Sequence, residues 1–170
     1  MIRECWLRNS NTQKIHNCYK RLGYNLFKFP GNILGNIFTG VWEKMKIIVF
    51  SLTGNCKRFV DMCKIPEEDV IDLFDIDYEV DFDYILITPT IGFGQVPEGV
   101  AEFLETNHKH LKGVVGSGNK NWGNRFAKAS ETISEKYNVP LLMKIELHGN
   151  TKDLIKFKKI YLESVDNGEI

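Results

Sequence analysis

Ser51, Thr53, Gly54 and Asn55 sit within five residues of one another, after the apolar run Lys46-Ile47-Ile48-Val49-Phe50 and before a helical pattern that begins at Cys56. Residues of these types at a strand-to-helix junction can hold a phosphate. Two hydroxyls donate, a glycine lets the backbone approach the oxygens or take a positive φ, and the Asn55 amide is placed to cap the helix. The first turn of that helix adds N–H groups without intrahelical acceptors and the positive end of its dipole. There is no G-x-x-x-x-G-K and no lysine inside the loop, so a single phosphate fits better than a triphosphate with its metal. An ordinary strand, turn and well-capped helix accounts for the same residues.

Two further stretches are rich in glycine: Thr90-Ile91-Gly92-Phe93-Gly94, and Ser117-Gly118-Asn119 followed by Trp122-Gly123. Glycine walls let backbone amides reach the nitrogens and carbonyls of a planar ring. Together with one phosphate they describe FMN. Phe93 and Trp122 are candidates to stack on the ring or shield it, the other reading being loop anchors that dip into the core. Gly92-x-Gly94 falls short of a dinucleotide fingerprint, because Pro97 takes its last place and the stretch follows the third strand. His108 and His110 flank Lys109 and are expected to be solvated rather than metal ligands.

These stretches need elements to hold them. The 170 residues are 43% hydrophobic, enough for one real core, and the balance of 22 basic against 22 acidic residues gives no pointer to nucleic acid. Four cysteines without a C-x-x-C pair, and no apolar run near the ~20 residues of a membrane span, fit a reduced cytoplasmic setting. From Met45 onward apolar runs alternate with helical spacing. Strands are expected at 46–50, 70–73, 84–88, 111–116 and 139–147, with helices near 56–64, after Pro97 at position N1, and from 151 capped by Thr151. The longest helix is expected over 124–137. The last should present Leu154, Ile155, Phe157 and Ile160. Only Phe74 to Asp83 join the second and third strands, too few for a helical crossover. The pattern predicts an α/β fold: a flavodoxin-like, five-stranded parallel sheet of order 2-1-3-4-5, helices on both faces, with a shortened link after strand two.

Residues 1–44 are different. They carry seven basic and two acidic residues, with asparagines and with Gly31, Gly35 and Gly40, and show no sustained period; the expected reading is a disordered leader. Trp42-Glu43-Lys44-Met45 must be encoded as UGG-GAR-AAR-AUG, a purine run before an in-frame start. Met45 is therefore expected to be the native start, which leaves 45–170 as the flavin-binding domain.

Ser51-x-Thr53-Gly54-Asn55, Thr90-x-x-Phe93-Gly94-Gln95-Val96-Pro97, Gly113-Val114-x-x-Ser117-Gly118-Asn119-Lys120-Asn121-Trp122-Gly123, Val139-Pro140 and Glu146-Leu147-x-Gly149-Asn150-Thr151-x-Asp153 together resemble the NrdI family of class Ib ribonucleotide reductase systems. The resemblance runs from Met45 to about Glu163. It implies FMN as cofactor, an unidentified flavin reductant, and as partner the radical-generating manganese subunit of the reductase. The reduced flavin would react with O₂, and a superoxide or peroxide-level oxidant would pass to the partner's dimanganese site, enabling its tyrosyl radical. Such a protein is an accessory flavoprotein with no catalytic side chain. Two alternatives are a flavodoxin-type electron carrier for another reductase and a cofactor-free module gripping a phosphate or a partner. Residues 88–97 and 116–123 contain no acid, while Lys120 and Arg125 bring positive charge, so two-electron reduction should be readily accessible.

Overall fold

A computed structural model describes residues 45–167. The expected leader and the proposed start both concern residues 1–44 and lie outside the described residues. Five strands, β1 (Lys46–Val49), β2 (Val70–Asp72), β3 (Tyr84–Pro89), β4 (Leu111–Gly118) and β5 (Leu141–Glu146), form one parallel sheet of order β2-β1-β3-β4-β5. The helices between and after them are α1 (Asn55–Cys63), α2 (Glu98–Asn107), α3 (Lys128–Tyr137) and α4 (Thr151–Asn167).

The strand period of two sorts side chains between two cores. Ile47, Val49, Ile85 and Ile87 meet Phe59 of α1 and Phe157 of α4 on one face. Ile48, Tyr84, Leu86 and Val114 meet Val100, Phe103 and Leu104 of α2 and Ile133 of α3 on the other. Both faces of the central strands are thus covered, which is why these strands read as unbroken apolar runs.

No helix joins β2 to β3. A 3₁₀ turn at Leu73–Asp75 follows β2, the Asp72 carboxylate accepts from the Phe74 N–H at 3.2 Å, and Leu73 and Val80 fill the space on the second core. Asn107, buried at the end of α2, pins this link. Its Oδ1 accepts from the Val80 N–H at 2.8 Å, and its carbonyl accepts from the Tyr84 hydroxyl at 3.0 Å.

Several boundaries differ from the sequence expectations. β4 runs on to Gly118, because Ser117 and Gly118 still pair with Ile145 and Glu146 of β5. Pro97 is the N-cap of α2 and not N1: its ψ of 139° is extended, and its carbonyl accepts from the Val100 and Ala101 amides at 3.0 Å each. Residues 120–125 form a separate 3₁₀ segment, and α3 starts only after Ala127, so α4 is the longest described helix. Asn150, and not Thr151, caps α4. Its Oδ1 accepts from the amides of Lys152 at 2.9 Å and Asp153 at 3.3 Å, and the Asp153 carboxylate accepts from the Asn150 N–H at 2.9 Å, a reciprocal capping box. Ile155 points outward from α4, while Phe157 and Tyr161 are buried.

Gly116 lets α3 lie close against β4. A methyl group placed on it would stand 2.0 Å from Ser130 Oγ and 2.6 Å from Ser130 Cβ. Ser130 is fully buried and its hydroxyl donates to the Ala127 carbonyl at 2.7 Å, so it has no room to yield. Gly116→Ala is expected to destabilise the fold by about 1–3 kcal/mol through overpacking. Urea unfolding checks this, and an unchanged midpoint would show that α3 can back away.

Candidate functional site

Ligands of open parallel sheets sit beyond the carboxyl ends of the strands, where the strand order reverses. Here that point lies between β1 and β3. A cavity of about 230 Å³ opens there, walled by the segments after β1, β3 and β4 and closed at one end by Leu147 after β5. The volume falls below the ~300–1,000 Å³ usual for small-molecule sites.

From the first loop, Thr53 and Asn55 line the cavity together with Leu52. Gly54 stands at the N-cap of α1 with φ 78°, a left-handed conformation that glycine adopts at no cost. That choice displaces Asn55 from the expected capping role. Asn55 becomes the first residue of α1, makes no cap bond, and turns its side-chain N–H₂ back to donate to the Thr53 hydroxyl oxygen at 3.1 Å. Ser51 does part of the capping work instead, its Oγ accepting from the Lys57 N–H at 3.3 Å. The Arg58 amide is the first to find a backbone acceptor, the Gly54 carbonyl at 2.9 Å. The helix geometry leaves the amides of Gly54, Asn55 and Cys56 without intrahelical acceptors at this end.

From the second loop, Pro89, Thr90, Ile91 and Gly92 line the cavity. The Thr90 hydroxyl oxygen accepts from the Ala129 N–H at 3.2 Å, tying this wall to the start of α3. Ile91 and Gln95 form an antiparallel bridge that folds the loop on itself. Gly92 and Gly94 both have positive φ there.

From β4 and the turn after it come Ser117, Gly118, Asn119, Trp122 and Arg125. The buried Ser117 hydroxyl donates to the Leu147 carbonyl at 2.6 Å, and the Leu147 amide donates to the Gly118 carbonyl at 2.8 Å, so the two strand ends hold each other. Asn119 accepts from the Asn121 N–H at 2.9 Å and starts the 3₁₀ segment. Gly123, at φ 53° and ψ −120°, occupies a region open only to glycine, and the resulting kink turns Arg125 toward the cavity.

Of the residues singled out from the sequence, Thr53, Asn55, Thr90, Ile91, Gly92, Ser117, Gly118, Asn119 and Trp122 share this one cavity. Ser51, Gly54, Phe93, Gly94 and Gly123 shape its loops without lining it. Leu52, Pro89, Arg125 and Leu147 also line it, although they are not among the lining residues singled out from the sequence. Phe93 and Trp122 are not core anchors: they are 70% and 52% exposed, edge-on to each other with centroids 6.1 Å apart. The lining holds no carboxylate and one charged side chain, Arg125. An anion at the α1 end and a flat group between the glycine walls are what such a cleft can accept.

Cys56, behind the first loop, is buried, and desolvation pushes its thiol up to about 12, so it is no nucleophile at neutral pH. The two histidines lie at the far end of the sheet and are not simply solvated. His108 stacks on Tyr137 with centroids 5.2 Å apart, and His110 Nδ1 faces Asp83 at 3.3 Å. Among the described residues, no group of three metal-ligating side chains is placed to hold an ion, and no helix is long and apolar enough to cross a membrane.

A family model described as NrdI flavodoxin-like matches residues 47–159. Among solved structures, oxidised flavodoxin 1 from Bacillus cereus is 19% identical at a TM-score of 0.53, over 72% of this chain and 97% of the flavodoxin. A short-chain flavodoxin associated with a non-canonical PDU bacterial microcompartment is 18% identical at 0.52, over 74% of this chain and 99% of its own. These likenesses show the fold.

Proposed function

The chain belongs to the NrdI flavodoxin-like family, and from that membership and the cleft we propose an FMN-binding accessory flavoprotein of class Ib ribonucleotide reductase. FMN is the cofactor. Its partner is the radical-generating manganese subunit, to which it supplies an oxidant for assembling the dimanganese–tyrosyl radical cofactor. A flavin reductant of unidentified nature completes the system.

The observation that carries this reading is the cavity at the switch point, which joins a helix N-terminus, two glycine walls and a lining free of carboxylates. Its donor set fits the group. Thr53 and the first-turn amides of α1 would take the phosphate, and residues 90–92 and 117–119 would flank the ring. Phe93, Trp122 and Leu147 would limit water at its edge. When bound, FMN supplies electron transfer and the reaction of its reduced form with O₂. The chain's own residues bind, orient and shield, and none needs to act as acid, base or nucleophile.

Reduced, FMN-loaded protein mixed with O₂ and the manganese-loaded subunit should generate the tyrosyl radical, read by electron paramagnetic resonance. Failure to bind FMN removes the reading. Binding without radical formation favours the electron-carrier alternative.

The rim supports docking at this edge. Leu52, Trp122 and Leu147, all exposed, line the cleft, and the exposed Phe93 packs edge-on against Trp122; exposed apolar groups gathered in this way mark interaction sites. Phe93, Gln95 and residues 119–122 should therefore face the partner. Gln95 is exposed, with its side chain packed across Gly92. Gln95→Glu is expected to impair radical formation more than FMN affinity. Hydrogen exchange on the complex provides the check: protection confined to the α4 side would place the partner elsewhere.

A further inference from the structure

Lys120 and Arg125 are the two cations beside the second glycine wall, and the structure treats them differently. Lys120 Nζ pairs with Glu146 at 3.2 Å, so a carboxylate accompanies its charge at the cleft edge. Arg125 lines the cavity, and among the described residues no carboxylate pairs with it. Its guanidinium instead lies over the Phe93 ring, 4.9 Å from the centroid, and Phe93 leans on Trp122. An aromatic face positions a cation without neutralising it. Three further cations have carboxylate partners: Lys128 and Lys144 share Glu131 behind the second loop, and Lys57 of α1 faces Asp72 at 3.9 Å.

Arg125 is thus the one uncompensated charge of the lining. Resting on the FMN reading above, we propose that Arg125 sets the redox balance of the site by favouring the anionic reduced ring over the neutral oxidised one. Two-electron reduction takes two electrons from the reductant, dithionite in the test below, and one proton from solvent. The ring thereby passes from neutral to one negative charge. Charge near the ring is one of the few levers a protein has on a flavin. An opposite charge within ~4–6 Å favours the charged form by about one to three pKa units. A guanidinium keeps its charge at every working pH, so the bias does not fade as conditions change.

The test uses the full chain loaded with FMN as wild type, Arg125→Gln and Arg125→Lys. Affinity for oxidised FMN is read by fluorescence titration, and the two-electron midpoint potential by anaerobic spectroelectrochemistry. Arg125→Gln should bind oxidised FMN nearly as well as the wild type yet lose about tenfold more affinity for the reduced form, a potential about 30 mV lower. Arg125→Lys, which keeps the charge, should recover most of the difference. An Arg125→Gln potential equal to the wild type overturns the inference, and so does an equal weakening of both states, which would make Arg125 a structural clip between Phe93 and the turn. A wild-type chain that binds no FMN overturns it together with the reading beneath it.

Discussion

Thr53→Ala is expected to bind FMN about ten- to a hundred-fold more weakly than the wild type. A hydrogen bond to a charged group is worth roughly 1.5–3 kcal/mol, and ~1.4 kcal/mol is tenfold in affinity. The geometry allows Thr53 to make such a bond. Its hydroxyl oxygen accepts from the Asn55 side chain at 3.1 Å, which leaves the O–H free to donate into the cavity it lines. The substitution also strips Asn55 of the acceptor that holds its amide in place. Thr53 is exposed and carries no packing, so thermal stability without FMN should stay near that of the wild type. A fluorescence titration with FMN measures the loss, and undiminished affinity would mean that the phosphate is held elsewhere.

Stability is expected to decline steeply above about pH 9, led by Cys56. Burial drives its thiol from 9.0 up to about 12, and it drives the Cys63 thiol up to about 11. The hydroxyls of Tyr84 and Tyr161 are raised as well, Tyr84 chiefly by burial and Tyr161 by burial and by its 2.5 Å donation to Asp69. All four are neutral in the fold and ionise earlier once unfolded. The unfolded chain therefore binds fewer protons at alkaline pH, and stability falls as pH rises. The contribution is intact below the unfolded values and disappears as pH climbs through the folded ones. At ~1.4 kcal/mol per pH unit, Cys56 alone accounts for on the order of 3 kcal/mol between pH 9 and 11. Urea midpoints at pH 8 and 11 test the claim, and Cys56→Ala should flatten the slope. Equal midpoints for the wild type at the two pH values would refute it.

The sheet was legible because Ile47 to Phe50 and Tyr84 to Ile87 are buried on both faces and so leave continuous apolar runs. The strand order follows from alternation with helices and one short link. Caps were less legible, since they turn on a single backbone angle. Nothing in Ser-Leu-Thr-Gly-Asn distinguishes a helix capped by Asn55 from one that starts one residue earlier on a left-handed Gly54. The same holds at Thr151, where Asn150 and Asp153 satisfy each other first.

The cavity floor from Thr53 to Asn119 was readable from glycines and hydroxyls. Its end was not. Leu147 reaches it through a φ of 53° that no leucine announces, and Arg125 through the kink at Gly123. In the sequence Arg125 could be read only as a positive charge just beyond a glycine-rich loop.

The two outer strands have a consequence for how this chain behaves in a crowded solution. An exposed strand edge is a template on which another chain can add a strand, and growth from such edges leads to aggregates. β2 offers only three residues, preceded by Glu67, Glu68 and Asp69 and ending in Asp72. β5 is longer, but Lys144 and Glu146 place opposite charges along it. Both borders of the sheet are thus poor seeds for intermolecular pairing, whereas the exposed Leu52, Phe93, Trp122 and Leu147 stand together at the cleft, beyond the carboxyl ends of the strands.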